Sequence, residues 1–318
     1  MIRTIICDLF EIEYPVFQGG MAHLGTAELV SAVSNAGGLG FIGSGSNPPE
    51  WLRDQIRKTR ERTQKPFGVN VIMISPHLKA SLEVIQEEKV KIVAFGGGNP
   101  GVYIPPLKEA GVKVVPVISS VALAKRLERL GADAIVAEGM ESGGHVGETT
   151  TMALVPQVVD SVSIPVVAAG GFGDGRGLAA ALCLGAKGIQ MGTRFICTPE
   201  CIAHQKFKEA IVKARDRATV VTGTTTGHPA RCLENHLTRE YQALERSGAP
   251  KEALDKFATG RMYTGVIQGD VENGSLMCGQ IAGLIKDIRP AKNIVEEEVV
   301  QAEAILKQIV TTLMVSKR

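Results

Sequence analysis

Short apolar runs recur over the first 191 residues, separated by segments with helical spacing and by Gly or Pro breaks. The runs begin about 20 to 32 residues apart, which is typical of repeated supersecondary units. Because they are apolar throughout, they indicate parallel strands that helices cover from outside. The predicted strands are Pro15–Gln18, Leu39–Gly43, Phe67–Ile72, Ile92–Phe95, Lys113–Ile118, Ala134–Ala137, Pro165–Ala169 and Gly188–Met191.

Between these strands, proline and glycine residues indicate where helices begin and end. Asn47 before Pro48 and Pro49 indicates a helix that begins with a capping residue and a proline in its first turn. Glycines just past a helical segment are typical of its left-handed end, as at Gly111, Gly131 and Gly185. Eight consecutive strand–helix units predict an α/β protein with a (β/α)8 TIM barrel, and an open doubly wound sheet is the alternative.

The pattern changes after the eighth strand. His204–Ala214 is predicted to be a basic helix and Asn293–Val315 a C-terminal helix, with a long polar stretch between them. This stretch has too few apolar residues for a core of its own, so we predict no second globular domain. We expect residues 1–216 and 264–318 to form the barrel with a C-terminal return, and residues 217–263 to form a capping insertion on the substrate side.

Composition and charge indicate a protein with one large core and no strongly charged partner. Hydrophobic residues make up 44% of the chain and charged residues 21%, which is enough for one large core. The 35 basic and 33 acidic residues leave a formal net charge of +2, which predicts neither a nucleic-acid partner nor a membrane partner. No signal peptide is visible, and no apolar run approaches the roughly 18 residues that span a bilayer, so we expect a cytoplasmic protein. The basic helix is either a solvated face or a dock for an acidic partner.

Six cysteines are scattered without CxxC spacing, which indicates reduced thiols rather than a disulfide framework. Cys197, Cys201 and His204 lie close together in the sequence, and two interpretations stand. One is part of a metal site, and the other is a pair of thiols packed around a helix start. No fourth ligand is evident, so we favour the second interpretation and predict no metal site.

Glycine and polar residues gather directly after the predicted strands, at the end of the barrel where active sites of this fold lie. Gly170 and Gly171 follow the seventh strand, and Gly192 and Thr193 follow the eighth. Residues without a Cβ expose their N–H groups to an anion, and the start of a following helix adds partial positive charge. The two pairs together predict a phosphate site, although each glycine alone fits an ordinary tight turn.

The ligand class follows from the spacing of these glycines. No G-x-G-x-x-G sequence follows the first strand, and the glycines from Gly171 to Gly177 alternate with other residues instead. One phosphate site without a dinucleotide fingerprint favours a mononucleotide such as FMN. Asn70 and Gln190 lie on the third and eighth strands, where their amides either bond the edge of a flavin ring or are satisfied inside the barrel.

Histidines are the candidates for proton chemistry, because their ordinary pKa of about 6.5 suits proton exchange at neutral pH. His145 lies in a glycine-rich loop after the sixth strand, where the flanking glycines permit close approach to a ligand. We therefore predict that His145 is catalytic. His23 is a second candidate for the lining of the site, while His228 and His236 are interpreted as structural.

Five regions of the chain, in the same order, resemble the nitronate monooxygenase superfamily. They are VFQGGMA at 16–22, FGVN at 67–70, EGMESGGHVG at 138–147, AAGG at 168–171 and QMGTRF at 190–195. A further string, GDVENGSLMCGQIAG at 269–283, is similar in particular to the branch of type II enoyl-[acyl-carrier-protein] reductases. The chain departs from the pattern at His23, where an aromatic residue is expected.

The resemblance implies an FMN-binding barrel with NADH or NADPH as the reductant. The residues that would contact FMN are Gly19, Gly20, Met21, Asn70, Glu138, Gly170, Gly171, Gln190, Gly192 and Thr193, with Met277, Gly279 and Gln280 returning to cover it. His145 matches the active-site histidine of the superfamily. The resemblance is also compatible with a homodimer, and with a monovalent cation whose ligands it does not identify.

Three hypotheses follow, and the first is an NAD(P)H:trans-2-enoyl-[acyl-carrier-protein] reductase of fatty-acid biosynthesis. In that ping-pong reaction hydride passes from the nicotinamide to flavin N5 and then to C3 of the enoyl thioester, while a proton reaches C2. The second is a nitronate monooxygenase, in which His145 is a base, the nitronate reduces the flavin and O₂ reoxidises it. The third is a flavin-binding sensor or subunit without turnover.

Overall fold

The computed structural model describes residues 2–314 and contains a barrel and one small sheet. The barrel strands are β1 Val16–Gln18, β2 Leu39–Gly43, β3 Phe67–Ile72, β4 Ile92–Gly96, β5 Lys113–Ile118, β6 Ile135–Glu138, β8 Val166–Ala169 and β9 Ile189–Met191. The small sheet contains β7 Gly144–His145, β10 Thr219–Thr222 and β11 Ala230–Leu233. The eight barrel strands are parallel, and β9 pairs with β1 to close the ring. This closure confirms the predicted (β/α)8 TIM barrel and rules out the open sheet.

All eight predicted barrel strands are present, with small differences at their ends. Pro15 and Pro165 precede β1 and β8 rather than opening them, because proline has no N–H to donate to a strand ladder. Each proline still supplies its carbonyl to a neighbouring strand. Pro15 O accepts from Ile189 N at 3.0 Å, and Pro165 O accepts from Ile135 N at 2.9 Å.

Helices cover the outside of the barrel and follow its last strand. They are α1 Ile5–Phe10, α2 Ala27–Asn35, α3 Pro49–Arg62, α4 Leu78–Glu87, α5 Ile104–Glu109, α6 Val121–Arg129, α7 Thr151–Val159, α8 Gly175–Cys183, α9 Thr193–Ile196, α10 Gln205–Val212, α11 His236–Arg246, α12 Lys251–Ala258, α13 Arg261–Val266, the 3₁₀ helix Gln280–Leu284 and α14 Ala291–Met314. Gly111, Gly131 and Gly185 have φ of 73°, 97° and 91°, as predicted for residues past a helix end.

Two helix starts differ from the prediction. The capping residue of α3 is Pro48 and not Asn47, because the carbonyl of Pro48 already accepts from Trp51 N at 3.1 Å. The basic helix α10 begins at Gln205, and His204 is its capping residue: Nδ1 of His204 accepts from Lys206 N at 3.2 Å. A side-chain acceptor at this position satisfies one of the helix's unpaired N–H groups.

The N-terminal helix α1 closes the amino end of the barrel. Its buried residues Ile6, Cys7 and Phe10 belong to the same apolar cluster as Phe17 of β1 and Phe41 of β2. The rings of Phe10 and Phe17 meet edge to face, with centroids 5.6 Å apart. Because this end is filled with apolar side chains, ligand access is left to the opposite, carboxyl end.

The C-terminal helix α14 packs against α8 and α2. It runs from Ala291 to Met314, two residues earlier than the predicted start, and the predicted end at Val315 lies outside the described residues. A glycine is required at Gly175, where a Cβ would lie 2.6 Å from the carbonyl oxygen of Glu298. Of the helices within residues 2–314, none has the length and hydropathy needed to cross a membrane.

The antiparallel sheet of β10, β11 and β7 does not follow from the sequence pattern. Two of its strands lie in the predicted capping insertion, and the third is the two-residue strand that contains His145. In the register, Ala230 pairs with His145 and Arg231 with Gly144. The sheet therefore attaches the polar stretch of residues 217–263 directly to the loop that follows β6.

Candidate active site

A cavity of about 250 Å³ opens at the carboxyl ends of the barrel strands. Its lining includes His145 and twelve of the thirteen residues predicted to contact FMN: Gly19, Gly20, Met21, Asn70, Glu138, Gly170, Gly171, Gln190, Gly192, Thr193, Met277 and Gly279. Gln280 is not part of the lining. Its side chain is exposed at the start of the 3₁₀ helix, and its N–H donates to Glu141 O at 2.9 Å.

Unpaired N–H groups mark the wall of the cavity formed after β8 and β9. Within residues 2–314, no acceptor bonds the N–H of Gly171, Gly192 or Thr193. Gly170 and Gly171 have φ of 91° and 85°, a conformation that strains any residue with a Cβ. Free N–H groups grouped in this way are suited to a phosphate oxygen.

Thr193 also connects this wall to the C-terminal part of the chain. Its Oγ1 accepts from Gly279 N at 2.9 Å, which holds the return segment over the end of β9. The hydroxyl proton of Thr193 remains available to a ligand, because an accepted hydrogen bond does not use it.

Two amide side chains face the cavity on the barrel side. The side chains of Asn70 and Gln190 bond no other group among the described residues, although Gln190 is only 8% exposed. Glycines after β1 leave room for them: a Cβ on Gly20 would lie 2.2 Å from Cβ of Asn70, and one on Gly19 would lie 3.0 Å from Cδ of Gln190. Buried amides are normally paired, so this arrangement favours a ligand over the alternative of satisfied barrel residues.

Glu138 supplies a carboxyl group at the end of β6. Burial raises its pKa to about 7, while the neighbouring Ser142 hydroxyl acts in the opposite direction. A carboxyl with that pKa is partly protonated at neutral pH and can donate a hydrogen bond as well as accept one. Nearby, the carboxylate of Glu141 accepts from Thr151 N and Oγ1 at 2.9 and 2.8 Å, which fixes the loop after β6.

His145 lies on the two-residue strand β7, within the segment after β6 that was predicted to be a glycine-rich loop. Pairing with Ala230, and the bond from Val146 N to Pro229 O at 3.0 Å, give its backbone a fixed position. The ring of His228 lies edge to face against it, with centroids 6.4 Å apart. Burial lowers the pKa of His145, and repulsion from His228 lowers it further. The imidazole is therefore mainly neutral at neutral pH.

The groups around the cavity fit FMN. Unpaired N–H groups at Gly171, Gly192 and Thr193 suit the phosphate, and the unbonded amides of Asn70 and Gln190 suit the edge of the ring system. A family model described as nitronate monooxygenase matches residues 3–81 and 75–301. The chain belongs to the nitronate monooxygenase family. It is an oxidoreductase of this FMN-dependent family.

Relatives within and around the nitronate monooxygenase family cover nearly the whole chain. It is 35% identical to (3aS,4S,5R,7aS)-5-hydroxy-7a-methyl-1-oxo-octahydro-1H-indene-4-carboxyl-CoA dehydrogenase of Mycobacterium tuberculosis, over 95% of this chain and 96% of the relative. It is 33% identical to a probable nitronate monooxygenase of Staphylococcus saprophyticus, over 96% and 99%. The solved structure of FabK from Thermotoga maritima matches with a TM-score of 0.96 and 50% identity, over 98% of this chain and 100% of that chain.

His23, the second histidine considered for the site, is not in the lining of the cavity. Its backbone has φ of 64°, and its ring meets the edge of Tyr263 with centroids 5.7 Å apart. The lining residues on either side are Ala22 and Leu24. A positive φ turns the His23 side chain towards α13 while its neighbours line the cavity.

Cys197 and Cys201 lie in the apolar core behind α9 and α10. Burial raises the pKa of Cys197 to about 12 and that of Cys201 to about 11, which disfavours the thiolates that bind metals. The third member of the group, His204, uses Nδ1 to cap α10. No group of three metal-binding side chains occurs anywhere in the described part of the chain.

Sequence reasoning interpreted His228 as structural and missed Arg231. Both come from the polar stretch after β9, and neither lies in a motif or in an apolar period. Arg231 is only 4% exposed, and its Nε and Nη2 donate to Met140 O at 3.1 and 3.0 Å. The available signal was the alternation of small apolar residues with a polar one in β11, where Ala230 and Cys232 flank Arg231. Such alternation is typical of a strand.

Proposed function

We propose that this chain is an FMN-dependent NAD(P)H:trans-2-enoyl-[acyl-carrier-protein] reductase of fatty-acid biosynthesis. The main support is the 50% identity with FabK, an enoyl-[acyl-carrier-protein] reductase II, over nearly the full length of both chains. The Mycobacterium relative is named as a dehydrogenase of a CoA thioester, which also favours a thioester substrate. The unpaired N–H groups and amides at the barrel mouth supply a site for the flavin that such a reaction requires.

FMN, when bound, supplies the hydride chemistry, and the residues of the chain supply position and protons. Gly171, Gly192 and Thr193 would hold the phosphate, while Asn70 and Gln190 would bond the ring edge. His145 is mainly neutral, so its N–H would orient the thioester carbonyl rather than act as a fully protonated acid. Met277 and Gly279 would cover the flavin from the C-terminal return.

Anaerobic flavin spectroscopy tests this proposal. NADH or NADPH should bleach the flavin of the purified protein, and crotonyl thioester should then restore its colour. Running the two nicotinamides in parallel identifies the preferred reductant. If neither nicotinamide bleaches the flavin, the reductase proposal is wrong.

The second candidate is a nitronate monooxygenase, favoured by the family match and by the neutral state of His145, which suits a base. Its signature is oxygen uptake with propionate 3-nitronate in the presence of FMN and without nicotinamide. A flavin-binding sensor would instead show bound FMN whose spectrum neither substrate changes.

We further propose a homodimer, which light scattering of the purified protein would test. A bound monovalent cation would appear as a difference in turnover between K⁺ and Na⁺ buffers.

A further inference from the structure

A second cavity of about 200 Å³ lies beside the mouth of the barrel, between the small sheet and helices α11 to α13. It shares three lining residues with the first cavity: His145, Met262 and Met277. The two spaces therefore meet at the predicted catalytic histidine.

Exposure changes along this second cavity, which we call the side passage. His228, Asp255 and Ala258 in its lining are exposed, whereas His145 and Met277 are partly buried. The side passage therefore opens to the surface and reaches His145, and no residue of the glycine-rich wall after β8 and β9 lines it. An elongated group could occupy it while the reacting atoms lie in the first cavity.

The lining of the side passage mixes apolar and polar side chains. Apolar surface is the larger part, and it comes from side chains such as Leu237, Ala230 and Met262. The side chains of Thr222, His228 and Asp255 line it as well, and among the described residues none of the three makes a hydrogen bond. A hydrocarbon chain would displace water from these groups without replacing its hydrogen bonds, which is unfavourable.

The pyrophosphate of a dinucleotide fits the side passage no better than a hydrocarbon chain does. Arg261 is the positive side chain of fixed charge in its lining, and the carboxylate of Asp255 opposes it. Arg261 already donates to Phe257 O at 3.3 Å and to Asn273 O at 3.4 Å, and it lies 5.4 Å from the centroid of the Phe257 ring. A neutral chain in which methylene groups alternate with amides and hydroxyls matches both the apolar surface and the polar side chains of this lining.

We infer that the side passage binds the amide-bearing pantetheine arm of the thioester substrate and delivers the thioester to His145. This inference rests on the proposed reductase function. It assigns the acyl group and the nicotinamide to the first cavity, and it makes the insertion of residues 217–263 the part of the chain that recognises the carrier arm.

Calorimetric binding of saturated thioesters to the FMN-loaded protein tests the inference without turnover. The probes are S-butyryl-pantetheine, S-butyryl-N-acetylcysteamine with a truncated arm, and S-decanoyl-N-acetylcysteamine with a longer acyl chain. Ala258→Trp places a large side chain at the outer end of the side passage. The matched control is Ala253→Trp, an exposed alanine of the same helix that does not line the passage.

Ala258→Trp should weaken butyryl-pantetheine binding about tenfold and leave both N-acetylcysteamine thioesters unchanged. Ala253→Trp should change none of the three. Thr222→Val is a second, nearly isosteric variant that should weaken only the pantetheine thioester, by about fivefold, through loss of one hydrogen bond. It keeps the inference testable if Ala258→Trp misfolds.

Other outcomes overturn the inference. If Ala258→Trp weakens only the binding of the decanoyl thioester, the passage holds the acyl chain. If Ala258→Trp instead slows flavin bleaching by NADH or NADPH, the passage holds the nicotinamide. Equal loss of all three thioesters would exclude a site for the arm. In each of these cases the wild type still reduces crotonyl-N-acetylcysteamine, whereas failure of that reaction overturns the proposed function as well.

Discussion

The environments of His145 and Glu138 set their pKa values and therefore their protonation states in the site. Burial and the charge of His228 both lower the pKa of His145, whereas burial raises that of Glu138 to about 7. Both shifts favour the uncharged form, because a partly enclosed cavity solvates charge poorly. At neutral pH the mouth of the barrel thus presents a mainly neutral His145, a partly protonated Glu138 and unpaired N–H groups to a ligand.

The pH dependence of turnover should report the state of His145. If the neutral imidazole is required, kcat/KM falls as the pH drops through its lowered pKa. His228→Gln removes the repulsion that lowers the pKa of His145, so that pKa rises and the acid limb moves to higher pH. Profiles of kcat/KM between about pH 5 and pH 8 measure this shift.

His236→Gln is the control for that shift, because His236 is exposed on α11 and pairs with Glu240 at 3.5 Å. Its profile should match that of the wild type. An alkaline limb that moves in His228→Gln, with a fixed acid limb, would show that protonated His145 is the active form.

FMN affinity should depend on the N–H of Gly171. Gly171→Ala places a Cβ on a backbone with φ of 85°, so the residue shifts and its N–H loses its position. We expect the dissociation constant for FMN to rise about tenfold, measured by flavin fluorescence.

Gly248→Ala is matched in backbone strain, since Gly248 has φ of 76° and an added Cβ would meet nothing within 4 Å. Both variants should lose ~1 kcal/mol of stability. Weaker FMN binding in Gly248→Ala as well would mean that strain alone, and not the N–H, explains the effect.

At the scale of elements, the small sheet holds the catalytic candidate in place. Strand β7 is only two residues long, and β11 pairs with it on one side. Arg231 on β11 adds two bonds to the carbonyl of Met140 and one from Nη1 to Thr219 Oγ1 at 3.2 Å. The guanidinium therefore connects the loop after β6 to the insertion and fixes the approach to His145.

Arg231→Met should loosen this loop while keeping much of the buried volume. Loss of the bonds to Met140 O should cost ~2 kcal/mol of stability and lower kcat about tenfold. Hydrogen exchange over residues 140–147 should increase, because the loop loses its anchor.

Arg239→Met is the control, since Arg239 is an exposed arginine on α11 whose ion pair with Glu234 is 3.5 Å long. It should leave kcat and exchange unchanged. Unchanged exchange over residues 140–147 in Arg231→Met would contradict the anchoring role.

At the scale of the whole molecule, the barrel is closed by α1 at one end and buttressed by α14 along its side. The contact of α14 with α8 buries Glu298, whose Oε2 has no hydrogen-bond partner among the described residues. Burial raises the pKa of Glu298 to about 8; Asp174 and Glu297 raise it and Arg194 lowers it. A mainly neutral carboxyl is thus buried between the terminal helix and the helix that follows the glycine-rich wall.

Global stability should therefore depend on pH. The folded pKa of Glu298 lies above its unfolded value of 4.5, so its contribution is fully present below that value and is lost as pH rises through about 8. Glu298→Gln removes this titration. The wild type should lose stability between about pH 5 and pH 8, and the variant should lose ~2 kcal/mol less. Urea unfolding at a fixed FMN concentration measures both free energies of unfolding.

Glu296→Gln is the control on the same helix, because Glu296 pairs with Lys292 at 3.7 Å and is not among the groups whose charges shift the pKa of Glu298. Its pH dependence should follow that of the wild type. If the free energy of unfolding of Glu298→Gln depends on pH as that of the wild type does, the buried carboxyl does not titrate in this range.

Local periodicity was enough to determine the eight barrel strands, because each is an apolar run bounded by turn residues. The strand ends also determined where most of the predicted site residues lie, since parallel strands in a closed barrel bring their carboxyl ends to one rim. Glycines after β1, β8 and β9 are therefore together in space although they are far apart in the chain.

Only the tertiary structure decided how the stretch of residues 217–263 joins that rim. Pairing between β11 and β7 and the ring contact of His228 with His145 both join residues about 80 or more positions apart. Such contacts leave no periodic signal, because each is set by one pair of side chains or by two residues of strand. The sequence therefore determined the barrel and its cofactor wall, and the folded chain determined the surroundings of His145.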